Sequence, residues 1–529
     1  MLFAAAVLAV AMAVLVLWTP YQPEHPGGLP LYGDGGVHAY IGSRVLHGEV
    51  PLVTWWTDKP PGVFYVNALA FAIGGASVHS LQLLDLGSAL VSVVAFFWVA
   101  VLLSRTWIAV LVTLAFTISA RNPALLEGGN YTEQYALPLL IVALGCVLLS
   151  HRRSGRGAMA WAALAGVLLA LGTLVSLLVL PVAVAAGASY FPFARQSVRA
   201  AARLLAGLAL GFGAPMAFGL GYYAAIGGLP HVDDALTFTR LYTATSGRWG
   251  LLAGVAGIAL VTALWARSPG FRPYPASPAL LLGGGTALAL LGHLASGHYF
   301  AHHLLAAVIP CGALLVTFAL EMEVAHGQPP PAARVALATT GCAVVVGGSL
   351  LALALSDYRP DPATASFLWS NNLAPGALPK RIDELCPAGA SVFVWGNQPS
   401  INFLADRKAA SRYPDLFAVE MPGYDNARRV NEMAHDLQVS KPCAIVDTSA
   451  ALPIVPPLDA ARRATWVPST EEGGIHSYAD FQPVYDFVAS HYAPSETVDA
   501  YTIWLRRPAV VTRPRTTAAA AQTPTIGTM

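Results

Sequence analysis

Residues 81–104 read LQLLDLGSALVSVVAFFWVAVLLS, and this stretch decides the fold class. Its apolar residues form one continuous block rather than the stripe of an amphipathic helix. Residues 335–355 form a second block of the same kind. Because about 20 apolar residues in a helix cross the hydrocarbon core of a bilayer, such blocks predict membrane-spanning helices.

The composition extends this prediction to the whole 529-residue chain. Only 11% of the residues are charged, 55% are hydrophobic, and the mean hydropathy is +0.56, whereas soluble proteins carry roughly 25% charged residues. The net charge of +1 gives no support for nucleic-acid binding. The five cysteines form no CxxC pair, so a zinc or iron–sulfur centre is not expected. Disordered, coiled-coil and small disulfide-rich folds are excluded as well.

About eleven spans with a cytoplasmic N-terminus are predicted from the apolar blocks and the arginines between them. Residues 1–18 form the first span, because no basic segment or cleavage site marks a removable signal peptide. The arginine-rich short loops are placed in the cytoplasm by the positive-inside rule. This parity requires residues 158–190 to cross twice, with a break near Gly172 and Thr173. The other predicted spans are residues 81–104, 106–120, 132–150, 200–226, 251–266, 279–295, 299–320 and 334–355.

The same parity leaves four loops and the C-terminal region on the external side. A short apolar segment, residues 61–75, tests the scheme, because about 22 Å of helix is less than a hydrocarbon core of about 30 Å. We therefore expect an interfacial or re-entrant helix in the first external loop. The external segments are residues 19–80, 121–131, 227–250 and 296–298, and everything after residue 356.

A small extracytoplasmic α/β domain is predicted at residues 357–512, following the membrane module of residues 1–356. Strand-like runs alternate there with helical patterns. Cys386 and Cys443 each precede a predicted strand; parallel neighbours would bring them within bonding distance, and two separate thiols are the equal alternative. Residues 513–529 are Thr- and Ala-rich and are predicted to be disordered. The strand-like runs are residues 391–396, 444–447 and 502–505, and the helical patterns are 379–385, 400–405 and 426–437.

The first external loop contains the most informative polar residues. Asp34 stands between glycines, which would let its backbone approach a ligand closely, although Asp and Gly also form ordinary turns. Asp58-Lys59-Pro60-Pro61 places a lysine at the mouth of an apolar helix, where a lipid phosphate would lie. A lysine at an interface is also a common anchor.

The other external loops supply further candidates. Acids occur at Glu127 and Glu133, the second at a helix start, where acids also complement the helix dipole. Arginines occur at Arg240 and Arg248. His298 begins a run of three histidines, and His302 follows it by four residues, so metal binding and helix capping are both open. All of these groups are predicted to share one face of the membrane.

In combination, these residues resemble the GT-C superfamily of polyprenyl-phosphate-sugar-dependent glycosyltransferases. The resemblance is to the bacterial branch related to protein O-mannosyltransferases and aminoarabinose-to-lipid A transferases, and it is strongest in residues 30–75. It implies that Asp34 is the catalytic base, that Asp58 and Lys59 lie against the donor phosphate, and that Glu133 supports the acceptor or a metal. It also implies that the first loop folds as juxtamembrane helices. The matching residues are Asp34, residues 39–48, residues 58–62, Phe64, Tyr65, Gly74, Gly75, Thr132, Glu133 and residues 391–413.

The sequence therefore predicts sugar transfer from a polyprenyl-phosphate donor to a lipid, glycan or protein acceptor outside the cytoplasm. One base acting by direct displacement predicts inversion at the anomeric carbon. Arg240, Arg248 or His298 would help Lys59 to neutralise the leaving phosphate. No cofactor is required, and a divalent cation remains open. A transporter or flippase, and a surface-glycan polymerase or ligase, are the alternatives.

Overall fold

The computed structural model describes residues 31, 33–126, 128–194, 196–244, 273–296, 300–325, 376–421, 423–451, 455–467 and 480–507. The expected spans at residues 1–18, 251–266 and 334–355 lie outside these residues, as does the expected tail at 513–529. The total of about eleven spans therefore stays a prediction.

Two helices lie in the described part of the first loop, residues 33–80. Helix α1 covers Asp34–Val45 and helix α2 covers Gly62–Gly74. Helix α2 is apolar, and its 13 residues extend about 20 Å, less than a bilayer core. The short apolar helix expected at residues 61–75 is confirmed, and its position in the membrane plane stays a prediction.

Most of the described residues between 78 and 325 are helical. Among the described residues, five segments are long and apolar enough to cross a membrane, which supports a multi-pass membrane protein. These segments are Val78–Leu103, Thr132–Arg152, Gly155–Val175, Leu177–Ala194 and Val198–Ala225. The helices after α2 are α3 Val78–Leu103, α4 Thr106–Ala120, α5 Pro123–Leu126, α6 Thr132–Arg152, α7 Gly155–Val175, α8 Leu180–Ala188, α9 Phe191–Ala194, α10 Val198–Ala225, α11 Leu229–Ala244, α12 Pro273–Ser296, α13 His303–Ala306 and α14 Val308–Ala325.

The expected break within residues 158–190 is present, but its predicted position was wrong. Helix α7 runs through Gly172 and ends at Val175; Ser176 is extended, and a 3₁₀ turn leads into α8. Pro181 near the start of α8 explains the position. A helix continuing through residue 181 would lose one hydrogen bond and place the proline ring against the carbonyl group four residues earlier.

The C-terminal domain contains one four-stranded sheet with the order β1-β2-β4-β3. Strands β1 and β2 are parallel, and β4 is antiparallel to β2 and β3. Strand β3 was missed because its sequence, YAPSETV, is polar and contains a proline; it lies at the sheet edge with a register irregularity. The strands are β1 Val392–Trp395, β2 Ala444–Asp447, β3 Tyr492–Val498 and β4 Tyr501–Arg506, and the helices are α15 Ala377–Leu385, α16 Ser400–Leu404, α17 Phe417–Glu420, α18 Asn426–Ser440, α19 Ala460–Arg463 and α20 Gln482–His491.

A disulfide joins the segments that lead into the two parallel strands. Cys386 and Cys443 are bonded, with their Cα atoms 5.7 Å apart. Of the two alternatives left open by the sequence, the structure therefore has the bridge. Because β1 and β2 are parallel, the two strands start at the same end of the sheet, next to each other.

The C-terminal domain packs directly on the first loop. The N–H of Ala409 donates to the hydroxyl of Tyr40 in α1 at 2.7 Å, and the N–H of Trp56 donates to the carbonyl of Arg412 at 2.9 Å. The Trp56 side chain lies in the hydrophobic core of the C-terminal domain. The segment that carries Asp58 and Lys59 is thereby held between the two parts of the chain.

Candidate active site

The first turn of α1 sets the position of Asp34. Gly33 precedes the helix with a φ of 56° and a ψ of −129°, a conformation that glycine adopts without strain. A side chain at Gly35 would collide with the carbonyl oxygen of Gly129, and one at Gly36 would lie 2.9 Å from the N–H nitrogen of Ser400. Gly35 and Gly36 thus permit a close approach of the protein's own backbone, and the expected close approach to a ligand stays a prediction.

Lys59 joins the two acids of the first loop. Its Nζ lies 2.8 Å from Oδ2 of Asp34 and 3.4 Å from Oδ2 of Asp58. The Asp34 side chain is 35% exposed and that of Lys59 is 24% exposed, so both are accessible to a ligand. We call Asp34, Asp58 and Lys59 the ion triad. With all three ionised, it carries two negative charges and one positive charge.

Charge and burial act in opposite directions on the triad. Burial alone would raise the pKa of Asp34, but Lys59, His38 and His302 outweigh it and lower this pKa to about 2. Burial would lower the pKa of Lys59, yet the two carboxylates raise it well above its usual value. Burial raises the pKa of Asp58, and Asp34 adds to this effect against Lys59. Asp34 is therefore an anion and Lys59 a cation at neutral pH.

A buried polar network fixes the position of α1 through contacts with His38 and Gly35. His38, one helical turn after Asp34, bonds through Nδ1 to the carbonyl of Asn130 at 2.7 Å. The amide nitrogen of Asn130 donates to the carbonyl of Gly35 at 2.8 Å and to Oδ1 of Asn67 at 2.9 Å. Burial lowers the pKa of His38 to about 4, so its ring is neutral at pH 7. The network fixes Asp34 relative to α2 and to the segment before α6.

The C-terminal domain adds an acid that the sequence analysis missed. Asp415 is buried, accepts a hydrogen bond from the N–H of Phe417, and interacts electrostatically with all three members of the ion triad. Burial raises its pKa to about 7, with further contributions from Asp58 and Asp34. Nothing around Asp415 in the sequence marks it, because its proximity to the triad depends on how the domain docks.

Glu133 lies at the start of α6 and contacts Ser176, at the break between α7 and α8. Its Oε1 accepts hydrogen bonds from the hydroxyls of Thr132 at 2.9 Å and of Ser176 at 3.2 Å. Its Oε2 is buried without a partner among the described residues. These contacts give Glu133 a structural role and leave its expected role toward an acceptor or metal as a prediction.

Arg240 is exposed on α11. In a helix it lies on the face opposite Phe238 and Tyr242, and the Tyr242 hydroxyl interacts electrostatically with the ion triad. Among the described residues, no three His, Cys, Asp or Glu side chains are grouped to hold a metal. The other expected site residues, Glu127, Arg248 and His298, lie outside the described residues.

A buried ion pair that is separate from the ion triad was also missed by the sequence analysis. Arg121 Nη1 lies 2.8 Å from Oδ2 of Asp85 in α3, and the Gln134 amide donates to Oδ1 of Asp85 at 2.7 Å. Gln134 also accepts from the N–H of Tyr131 and so caps the start of α6. The pair therefore ties α3 and the end of α4 to the segment that contains Asn130.

Comparison with known proteins identifies several structures of similar fold. No protein-family model matches the chain, and no characterised protein matches it by sequence. ArnT from Cupriavidus metallidurans bound to undecaprenyl phosphate matches with a TM-score of 0.49 and 13% identity, over 95% of this chain and 97% of that chain. The archaeal oligosaccharyltransferase AglB from Archaeoglobus fulgidus, in complex with an inhibitory peptide and a dolichol-phosphate, matches with a TM-score of 0.47 and 13% identity, over 94% and 74%.

Both proteins belong to the GT-C superfamily, which the motifs of this sequence resemble. Sequence identities of 13% and TM-scores below 0.5 do not assign a function to this chain.

Proposed function

We propose that the chain is an integral-membrane glycosyltransferase that moves a sugar from a polyprenyl-phosphate donor to an extracytoplasmic acceptor. The observation that carries the proposal is the ion triad, in which one lysine joins two acids that lie 24 residues apart in the sequence, just before a short apolar helix. In this proposal the protein is multi-pass in the plasma membrane, with the triad and the C-terminal domain outside the cytoplasm.

Lys59 is proposed to bind the donor phosphate. An ammonium group has three N–H donors, and two of them face Asp34 and Asp58. The third is available to a phosphate oxygen. Pro60 and Pro61 stiffen the backbone directly after Lys59, which limits how far the ammonium can move away from the acids.

Asp34 is proposed to be the base that accepts the proton of the acceptor hydroxyl. The hydroxyl oxygen bonds to the anomeric carbon as the carbon–oxygen bond to phosphate breaks, and the phosphate leaves with the electron pair. A single displacement of this kind inverts the anomeric centre. Lys59 holds the pKa of Asp34 near 2, which makes a weak base; a phosphate that attracts Lys59 would raise that pKa. Donor binding would therefore increase the basicity of Asp34.

Asp415 is proposed to limit the negative charge around the donor. With its pKa near 7, its carboxyl group is largely neutral below that pH. A neutral carboxyl avoids repulsion of the phosphate and can donate a hydrogen bond to it. The C-terminal domain would thus contribute directly to the site.

The test is a transfer assay with the full chain in proteoliposomes that contain a radiolabelled polyprenyl-phosphate sugar. We expect label on an acceptor together with free polyprenyl phosphate. Movement of intact donor across the vesicle membrane without sugar transfer would contradict the proposal and favour a flippase. Loss of transfer in Asp34→Asn would support the role of Asp34 as the base. Asp233→Asn is the matched control for that variant, because Asp233 is an exposed acid on α11.

A further inference from the structure

A cavity lies between the first loop and the C-terminal domain. Its volume is about 800 Å³, within the range of ligand pockets, and it is open to solvent. Thr54 and Trp55 of the first loop form one wall, and residues of the C-terminal domain form the other. No member of the ion triad lines it.

The charges around this cavity are predominantly positive. Lys408, Arg412 and Lys441 line it together with a single acid, Asp436. Oδ2 of Asp436 already accepts hydrogen bonds from the hydroxyl of Ser411 at 2.9 Å and from the N–H of Arg412 at 3.0 Å. The acid therefore joins α18 to the segment that contains Ser411 and Arg412, while Lys408 and Lys441 are exposed.

The Lys408 charge is not neutralised by its neighbour. Its Nζ lies 3.3 Å from Oε1 of Glu49 and 5.6 Å from the centre of the Trp55 ring. Glu49 is also paired with Arg44 at 2.7 Å, so one carboxylate serves two cations. The Lys408 side chain remains 51% exposed.

Two buried polar atoms at the cavity have no partner among the described residues. They are Nε of Arg412 and Oγ of Ser440, and both residues line the cavity. The Nη2 of Arg412 lies 3.4 Å from Nδ1 of His231, a long contact. A guanidinium with unused N–H groups, next to a hydroxyl and two ammonium groups, is suited to the oxygens of a phosphate or carboxylate.

We propose that this cavity is a second binding site that takes an oxyanion, the phosphate or carboxylate group of a soluble molecule or of a lipid headgroup. Arg412 and Ser440 bind its oxygens, and Lys408 and Lys441 supply the attraction. The Arg412 carbonyl bonds to the N–H of Trp56, two residues before Asp58. A ligand bound here would therefore steady the segment that carries the ion triad.

Protection of Lys408 from acetylation tests the site independently of any transferase activity. The full-length protein in phosphatidylcholine nanodiscs is labelled with acetic anhydride during titration with inorganic phosphate or glucuronate, and labelling is read by mass spectrometry. Lys380, an exposed lysine of the same domain, is the internal control. At twice the dissociation constant, labelling of Lys408 should slow by about threefold, because one third of the sites remain free. Nanodiscs containing phosphatidylglycerol form the arm for a lipid headgroup.

Three variants make the result specific. Arg412→Gln and Ser440→Ala should each weaken the protection of Lys408, whereas Arg412→Lys should retain part of it. Unchanged elution volume and unfolding temperature establish that a variant is folded. The proposal is overturned if no probe protects Lys408 beyond sodium chloride of equal ionic strength, or if protection is equal in folded Arg412→Gln, folded Ser440→Ala and the wild type.

Discussion

The Asp85–Arg121 pair and the ion triad are two clusters of oppositely charged side chains. They differ in how well their positive and negative charges balance. Asp85 and Arg121 are each only 4% exposed, and Gln134 bonds the second carboxylate oxygen of Asp85. Asp34 and Lys59 are 35% and 24% exposed, and Asp58 shares the same lysine. In the first group both carboxylate oxygens of Asp85 are buried and hydrogen-bonded, whereas the second group is partly exposed and has an excess acid.

This difference separates a structural ion pair from a candidate binding site. A buried ion pair fixes neighbouring elements, and loss of one partner leaves an uncompensated charge. A partly exposed pair contributes little to stability, and its lysine can exchange partners when an anion arrives. Variants of the two groups should therefore affect different measurements.

The largest effect is expected for Arg121→Met. This change leaves the Asp85 carboxylate buried with only Gln134 to hold it, and removing one partner of such a pair typically costs about 3–5 kcal/mol. The unfolding temperature of the purified protein is the measurement. Arg381→Met, which breaks the partly exposed pairs with Glu384 and Glu496, is the matched control and should cost about 1 kcal/mol or less. Equal losses would remove the distinction between the pairs.

Lys59→Gln should have the next largest effect, on transfer rather than stability. Removing one group that stabilises charge in a transition state lowers the rate by about 100- to 1,000-fold. The unfolding temperature should change little, because the pair is partly exposed. The transfer assay, with Lys380→Gln as the control, measures the effect. Full activity of the Lys59 variant would show that the phosphate is bound elsewhere.

Asp415→Asn should remove a pH dependence of stability. Because the pKa of Asp415 is raised to about 7, the folded state holds a proton that the unfolded state releases near pH 4. Stability of the wild type should therefore fall from pH 4 to pH 7, by about 3 kcal/mol relative to Asp415→Asn, and level off above pH 7. Unfolding temperatures of both proteins across this range provide the test. Parallel curves would contradict the assigned burial of Asp415.

The smallest effect is expected for Glu133→Gln. The amide oxygen can still accept hydrogen bonds from Thr132 and Ser176, so stability should change by about 1 kcal/mol or less. Transfer should fall by less than about tenfold, since a structural contact acts only through geometry. Comparison of the stability and transfer measurements decides whether Glu133 has a structural role or a direct role in the reaction. A loss of transfer like that of Lys59→Gln, in a folded protein, would give Glu133 a direct role.

Local patterns predicted much of the fold. Helix α4 has both expected ends, at residues 106 and 120, and β2 covers the expected residues 444–447. The apolar blocks and the strand-like runs determine these elements locally. The end of α7 was misplaced because Pro181 acts on the preceding turn. Strand β3 was missed because its pairing partner, rather than its own residues, makes it a strand.

The candidate site was predictable only in part. The motifs singled out Asp34, Asp58 and Lys59, and the structure brings these three together. Asp415 and the role of Asn130 could not be found in this way. Each gains its role from a contact between distant segments, the docking of the C-terminal domain in one case and the approach of Gly35 in the other.

The most direct test of the account is the Asp34→Asn variant in the proteoliposome assay. Asparagine has nearly the same shape as aspartate but cannot accept the proton. The account predicts a folded protein that still binds polyprenyl phosphate, while sugar transfer falls by at least about 100-fold. Wild-type turnover by this variant would contradict the central claim that Asp34 is the base.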